Sequence, residues 1–490
     1  MSIPLLTRRH ALLLGSAMAA SVTLSGGTRL RSRATILENY AALLPGELDF
    51  SGTVLLARHG EIEFEGAYGL ADRRSARPNT IATRFNLASL SKMFTAICIL
   101  QLVEAGRVSL QDPIGMYLPD YPNIAARTGV LVEHLLMHTS GIGNYWEGLD
   151  ALDGEWPDTH RDYLPLFADI PLEHEPGTAF SYSNGGYIVL GLIVEAVTGT
   201  NFYDHVQSAV LDRAGMRDTG YERVEEPDPD RATGYMRSLE HPGEWEDCTA
   251  RWERRGSAAG GAFSTAPDLN RFATALTEHR LLSPEMTEVF LQGRRETPVG
   301  NYGYGVVEQS LNGHRVIGHS GGHYGVAVEL MIFPDQGTTF VVLTNGDVDG
   351  YWDVEMFVHE LIAGPTDETR NYAFTRELIT ETISTGYDGG VARYRAAGTE
   401  RTPRTGVVEL AAFKHIHRGQ DEAGLDLLRL NRAIRPESED TMFSLAQGLR
   451  VTGRTSEALA MYQAYVERVP DSEEAQTYID QLREAVRDGN

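Results

Sequence analysis

"FNLASLSKMFTAIC", residues 85–98, sets Ser89 and Lys92 three positions apart where an apolar, helix-forming run begins. Residues three apart on a helix share one face, so the hydroxyl and the amine lie side by side. A serine hydroxyl is a weak nucleophile until a base takes its proton. Lysine can be that base only when its amine is uncharged, and desolvation or a neighbouring cation or phenol brings this about. Arginine cannot substitute, because a guanidinium does not deprotonate in proteins. Composition sharpens the point: of 43 basic residues, only Lys92 and Lys414 are lysines. A chain that uses arginine nearly everywhere keeps lysine beside this serine. Lys414 is expected on the solvated surface.

A second serine competes. "VIGHSGGHYG", residues 316–325, fits the Gly-x-Ser-x-Gly pattern of nucleophile elbows. An elbow needs a strand before the serine and a helix after it. The following residues, "HYGVAVELMIFPDQGTTFVVLTNG", alternate as two strands with a turn between them, so Ser320 is not read as the nucleophile. On a strand, His319 and Ser320 would instead line a groove, with Gly321 and Gly322 allowing a substrate close to the backbone. "FSYSNGGY", residues 180–187, adds Tyr182 and Asn184 on a loop just before a helix. A phenol can relay a proton and an amide can hold a substrate carbonyl.

Ser-x-x-Lys, then Tyr-x-Asn, then a His-Ser-Gly strand, in this order, resembles the serine β-lactamase and penicillin-binding protein superfamily. The likeness is greatest to its AmpC-like branch of D-peptidases, D-aminopeptidases and esterases, and "VEHLLMHTSGIG" is similar to a segment common in that branch. The resemblance covers roughly residues 34 to 365. It implies an α+β fold, an antiparallel sheet flanked by helices with a helical lobe. It also implies an acyl-enzyme on Ser89, with Lys92 accepting its proton and Tyr182 sharing that proton and activating water. Asn184 would contact a substrate amide, while His319, Ser320, Gly321 and Gly322 would line the strand edge. The amides of Ser89 and Gly322 would form the oxyanion hole. One departure stands out: many members carry lysine at the His319 position, where a fixed charge holds a substrate carboxylate. A histidine is mostly uncharged near neutral pH. That weakens the case for β-lactams and D-Ala-D-Ala termini and leaves esters, amides and short D-peptides. No metal or organic cofactor is implied. The rival reading is an idle hydrolase fold that serves as a binding scaffold.

At 490 residues the chain suggests more than one domain. Strand patterns open and close the region from 34 to 365, and helical periods fill its middle. Residues 372–490 read as helices only. There "GQDEAGLDLLRLNRAIRPES" from Gly419 aligns with "GRTSEALAMYQAYVERVPDS" from Gly453, a shift of 34 residues, with a fainter copy near Thr385. That period resembles tetratricopeptide repeats, and so short an array is expected to dock on a partner or on the hydrolase domain.

The net charge of −25 argues against nucleic acid and anionic membranes as partners. Residues 1–30 hold Arg8-Arg9, an apolar run of about fourteen residues, too short to span a bilayer, and small residues after it. They are expected to be a twin-arginine-like export signal, which places the protein in the periplasm or outside the cell. Cys98 and Cys248 are read as buried free thiols. His134 and His138, four apart, have zinc-ligand spacing but lack the intervening glutamate, so packing or capping is the preferred reading. Tyr145, Trp146 and Trp156 either line a groove or pack a loop.

Overall fold

Two strands, β1 (Gly52–Arg58) and β2 (Glu61–Tyr68), form a hairpin that turns at His59-Gly60, whose φ values of 49° and 80° suit a tight turn between twisted strands. On its other edge β1 pairs with a strand from the far end of the domain, placing Val54 opposite Val342. The other strands of the same sheet are β3 (Arg295–Thr297), β4 (Gly300–Tyr302), β5 (Val307–Leu311), β6 (His314–His323), β7 (Val326–Phe333) and β8 (Thr338–Thr344). Together they make one eight-stranded antiparallel sheet in the order β2-β1-β8-β7-β6-β5-β4-β3. Every residue of β8 is buried, as in a strand covered on both faces.

The computed structural model describes residues 33–42, 44, 49–149, 156–346 and 349–488. The expected export signal, residues 1–30, lies outside the described residues.

Between the two groups of strands comes the helical section. Its principal helices are α1 (Lys92–Glu104), α2 (Asn184–Thr198) and α3 (Ala266–Thr277). Nine consecutive residues of α1, Lys92 to Leu100, are buried, as expected of a helix that is apolar all round. Gly199 closes α2 in the left-handed conformation, at φ 74°. Side chains of α1, α2, α3 and the sheet share a single core that includes Leu55, Phe94, Ile193, Phe272 and Leu330. The sequence expectation of an α+β fold with a helical lobe is met.

The chain divides into two compact units. One comprises Leu37–Tyr235 and Asp247–Tyr351. The other holds Met236–Glu246, Trp352 onward and the described residues up to Ile36. This second unit is built from α4 (Asp349–Ala363, from its fourth residue), α5 (Asp367–Ala397), α6 (Thr405–His417), α7 (Asp421–Ile434), α8 (Glu439–Val451), α9 (Thr455–Val466) and α10 (Glu473–Asp488). Helices α7 and α9, and likewise α8 and α10, begin at positions related by the 34-residue shift. Gly419 and Gly453 before them share φ values of 71° and 73°. The arm Met236–Glu246 is fastened within this unit: Arg450 forks onto Glu240 at 2.6 and 2.9 Å, and Trp245 meets the His417 ring edge-on at 5.3 Å.

One expectation fails here. Lys414 is not solvated but 8 % exposed on α6. It shares the buried side of α6 with Val407, Ala411 and Ile416. Cys98 and Cys248 are buried and unbridged. No single helix among the described residues is long and apolar enough to cross a membrane.

Candidate active site

Ser89 does not sit on the α-helix itself but on a 3₁₀ turn, Ala88–Ser91, that leads into α1. Ala88 has φ 42°, a left-handed conformation that costs a residue with a Cβ about 1–3 kcal/mol. Its surroundings hold it there: the Ala88 amide donates to Asn86 Oδ1 at 2.8 Å, and its carbonyl accepts from Gly261 N–H at 3.1 Å. Strand β6 presses on the same turn. A Cβ on Gly321 would stand 2.2 Å from the Leu87 carbonyl oxygen and 3.1 Å from the Ser89 nitrogen.

Lys92 opens α1 and is completely buried. Its Nζ lies 3.0 Å from Ser89 Oγ and 2.7 Å from Asn184 Oδ1, and also meets the Ala259 carbonyl oxygen. Burial pulls the amine down to about 7, against the opposing pull of the Glu253 carboxylate. In the uncharged form the amine has two N–H bonds and one lone pair. The two carbonyl oxygens, of Asn184 and Ala259, can only accept. They take the two hydrogens, and the lone pair faces the Ser89 hydroxyl. An uncharged amine held in this way can take the proton of the hydroxyl.

Tyr182 completes the group. The Lys92 amine is 4.9 Å from the centre of its ring, and its phenol comes close to Ser89. Burial holds the phenol well above its ordinary value, so it is protonated. Asn184 begins α2, its amide donating to Asn144 Oδ1 at 2.7 Å, and Ser183 caps the helix by accepting from Gly186 N–H at 2.8 Å.

Strand β6 borders the site. It pairs with β7 through His323 but with β5 only as far as Gly318, so the edge from His319 to His323 is left off the β5 ladder. Ser320 and Gly322 are exposed along it, while His319 is 6 % exposed. A Cβ on Gly322 would meet nothing within 4 Å. Burial, with the Lys92 charge beside it, lowers His319 to about 4. No helix follows Ser320; β7 does, in agreement with the reading that set this serine aside.

Two neighbours escaped the sequence reading. Glu253 receives the Tyr145 hydroxyl at 3.3 Å and pairs with His323 at 3.2 Å. Burial pushes its carboxyl up, but these contacts prevail and hold it below the usual range. Trp146 stacks beside Tyr145 (4.8 Å) and His323 (5.8 Å) with 39 % of its surface exposed. No motif marks Glu253; only the fold brings it here. Tyr302, on β4, is the second and bonds His319 Nε2 at 2.9 Å. His134 accepts from Leu131 N–H at 3.2 Å, a capping role, and His138 is buried apart from it among aromatic rings.

Known proteins share this fold. A family model described as Beta-lactamase matches residues 41–356. Penicillin-binding protein 4* of Bacillus subtilis is 30 % identical over 355 residues, covering 68 % of this chain and 77 % of the relative. Esterase EstB of Burkholderia gladioli is 36 % identical over 189 residues, covering 35 % of this chain and 47 % of the esterase. The crystal structure of a penicillin-binding protein from Bacillus halodurans superposes with a TM-score of 0.60 at 33 % identity, covering 68 % of this chain and 99 % of that one.

Proposed function

The chain belongs to the Beta-lactamase family of serine hydrolases, and on that premise we propose that it cleaves an ester, amide or short D-peptide bond through an acyl-enzyme on Ser89. One observation carries the reading: the buried Lys92 amine stands 3.0 Å from the Ser89 hydroxyl, with the Asn184 and Ala259 oxygens taking its other contacts. Lys92 takes the proton as Ser89 Oγ bonds to the substrate's carbonyl carbon. The negative oxygen that develops would lie between the amides of Ser89 and Gly322. Tyr182 passes the proton to the leaving group, and the same pair then deprotonates the water that releases the acyl group.

The substrate preference follows from charge. A neutral His319 offers no fixed cation for a carboxylate, and Glu253 beside the strand edge repels one. Acyl groups without a carboxylate next to the scissile bond are favoured over β-lactams. Export through residues 1–30, and a partner for the helical repeats, are further parts of the proposal that rest on sequence alone.

Intact-mass measurement after incubation with a fluorophosphonate tests the core of it. A single stoichiometric adduct is expected, absent in Ser89→Ala, with a labelling rate that climbs as pH passes through about 7. If neither a fluorophosphonate, a p-nitrophenyl ester nor a penicillin leaves an adduct, the fold is a binding scaffold instead.

A further inference from the structure

Beneath the serine, four hydrogen bonds run in series through three buried side chains. The Ser183 amide donates to His138 Nδ1 at 3.1 Å, and His138 Nε2 lies 3.0 Å from the Tyr302 hydroxyl. That hydroxyl lies 2.9 Å from His319 Nε2, and His319 Nδ1 lies 2.5 Å from the Ser320 carbonyl oxygen. His138 is wholly buried and Tyr302 is 2 % exposed.

The two ends of this chain are main-chain groups whose character cannot change. An amide N–H only donates, so His138 Nδ1 is the lone-pair nitrogen and its proton sits on Nε2. A carbonyl only accepts, so His319 Nδ1 carries the proton and Nε2 holds the lone pair. The Tyr302 phenol between them therefore receives from His138 and gives to His319. Tyr187 is a second hydrogen-bond neighbour of Tyr302, and its own hydroxyl donates to the Leu136 carbonyl at 3.1 Å. If Tyr302 turned its proton to Tyr187, two lone pairs would face each other across the 2.9 Å to His319. The main-chain groups at the two ends thus favour one direction along the chain.

What the chain joins is as telling as its direction. Ser183 lies between Tyr182 and Asn184; Ser320 lies on the β6 edge beside Gly321 and Gly322. His138 also lies against the Tyr182 ring at 4.1 Å, and its carbonyl accepts from Ser181 N–H at 2.9 Å. It takes a left-handed φ of 55° to do so. We propose that His138 and Tyr302 are positioning residues, a one-way hydrogen-bond chain that locks the Tyr182–Asn184 loop to the β6 edge and fixes His319 as the neutral Nδ1–H tautomer. Burial and the neighbouring Lys92 amine favour the same uncharged state in both imidazoles. A shift of about 1 Å between the loop and the strand would cost acyl transfer roughly a hundredfold. The catalytic part of the proposal rests on Ser89 being the nucleophile; the tautomer part does not.

Full-length protein labelled with ¹⁵N-histidine tests both parts. His138 and His319 resonances are assigned by their loss in His138→Asn and His319→Asn. The expected wild-type spectrum has His319 protonated at Nδ1 and His138 at Nε2, both unchanged from pH 6 to 9. In Tyr302→Phe the His319 signals should become those of mixed tautomers, while kcat for p-nitrophenyl acetate falls at least tenfold and KM moves less than threefold. A wild-type His319 protonated at Nε2 overturns the chain, whether or not any variant folds. A Tyr302→Phe protein with unchanged kcat and unchanged tautomers overturns the positioning role. If wild type forms no Ser89 adduct yet shows the expected tautomers, the hydrolase reading fails and the hydrogen-bond chain stands as structure alone.

Discussion

Lys92 is kept uncharged at a thermodynamic cost to the fold. Its amine has a value of about 7 in the folded chain and 10.5 when exposed. Between those two values the unfolded chain binds a proton that the folded chain does not, so stability rises as pH increases through that window. At pH 7 the deficit is on the order of 4 kcal/mol. Lys92→Met removes it but leaves Asn184 Oδ1 and the Ala259 carbonyl without the amine, at a cost of roughly 1–3 kcal/mol for each. The variant should be inactive, and its stability relative to wild type should fall as pH rises from 7 towards 10. Thermal unfolding of both proteins across that range reads the difference; a constant gap would mean that the buried amine is charged. The same residue carried much of what the sequence made legible. A lone lysine three places after a serine can be noticed because the side chains are local. Glu253, Tyr302 and the inward-facing Lys414 were not legible, because each takes its place through contacts between distant parts of the chain.

At the scale of elements, the site is a seam where β6 meets the 3₁₀ turn ahead of α1. The sequence marks both sides of the seam, since alternation identifies the strand and apolar residues the helix. It does not give their separation. Gly321 sets that distance and Gly322 does not, although the two are adjacent and chemically identical. Gly321→Ala drives a methyl group into the Leu87 carbonyl. It should destabilise the protein by about 1–3 kcal/mol and slow fluorophosphonate labelling at least tenfold. Gly322→Ala points its methyl into open space and should keep the wild-type Tm. Equal Tm losses in the two variants would show that the strand does not rest on the turn. The helical periods also predicted α1 and α2 correctly, but not the 3₁₀ turn, because a left-handed alanine is imposed by its neighbours rather than by its own preference.

At the scale of the whole molecule, the sheet is closed by its sequence-distant ends: β1 lies between β2 and β8, and β8 holds β7, which holds β6. Contacts across so long a stretch of chain make for slow folding. A protein cut short at residue 337 keeps Ser89, Lys92, Tyr182, Asn184 and His319, yet loses the strand that joins the two halves of the sheet. It should give no fluorophosphonate adduct by intact mass, and an adduct at the wild-type rate would show that the sheet need not close. During synthesis the consequence is temporal. A nascent polypeptide leaves the ribosome carrying its hydroxyl and its amine early, when neither can harm the esters and amides around it. On the proposed mechanism, Ser89 gains its reactivity late, when β8 docks between β1 and β7.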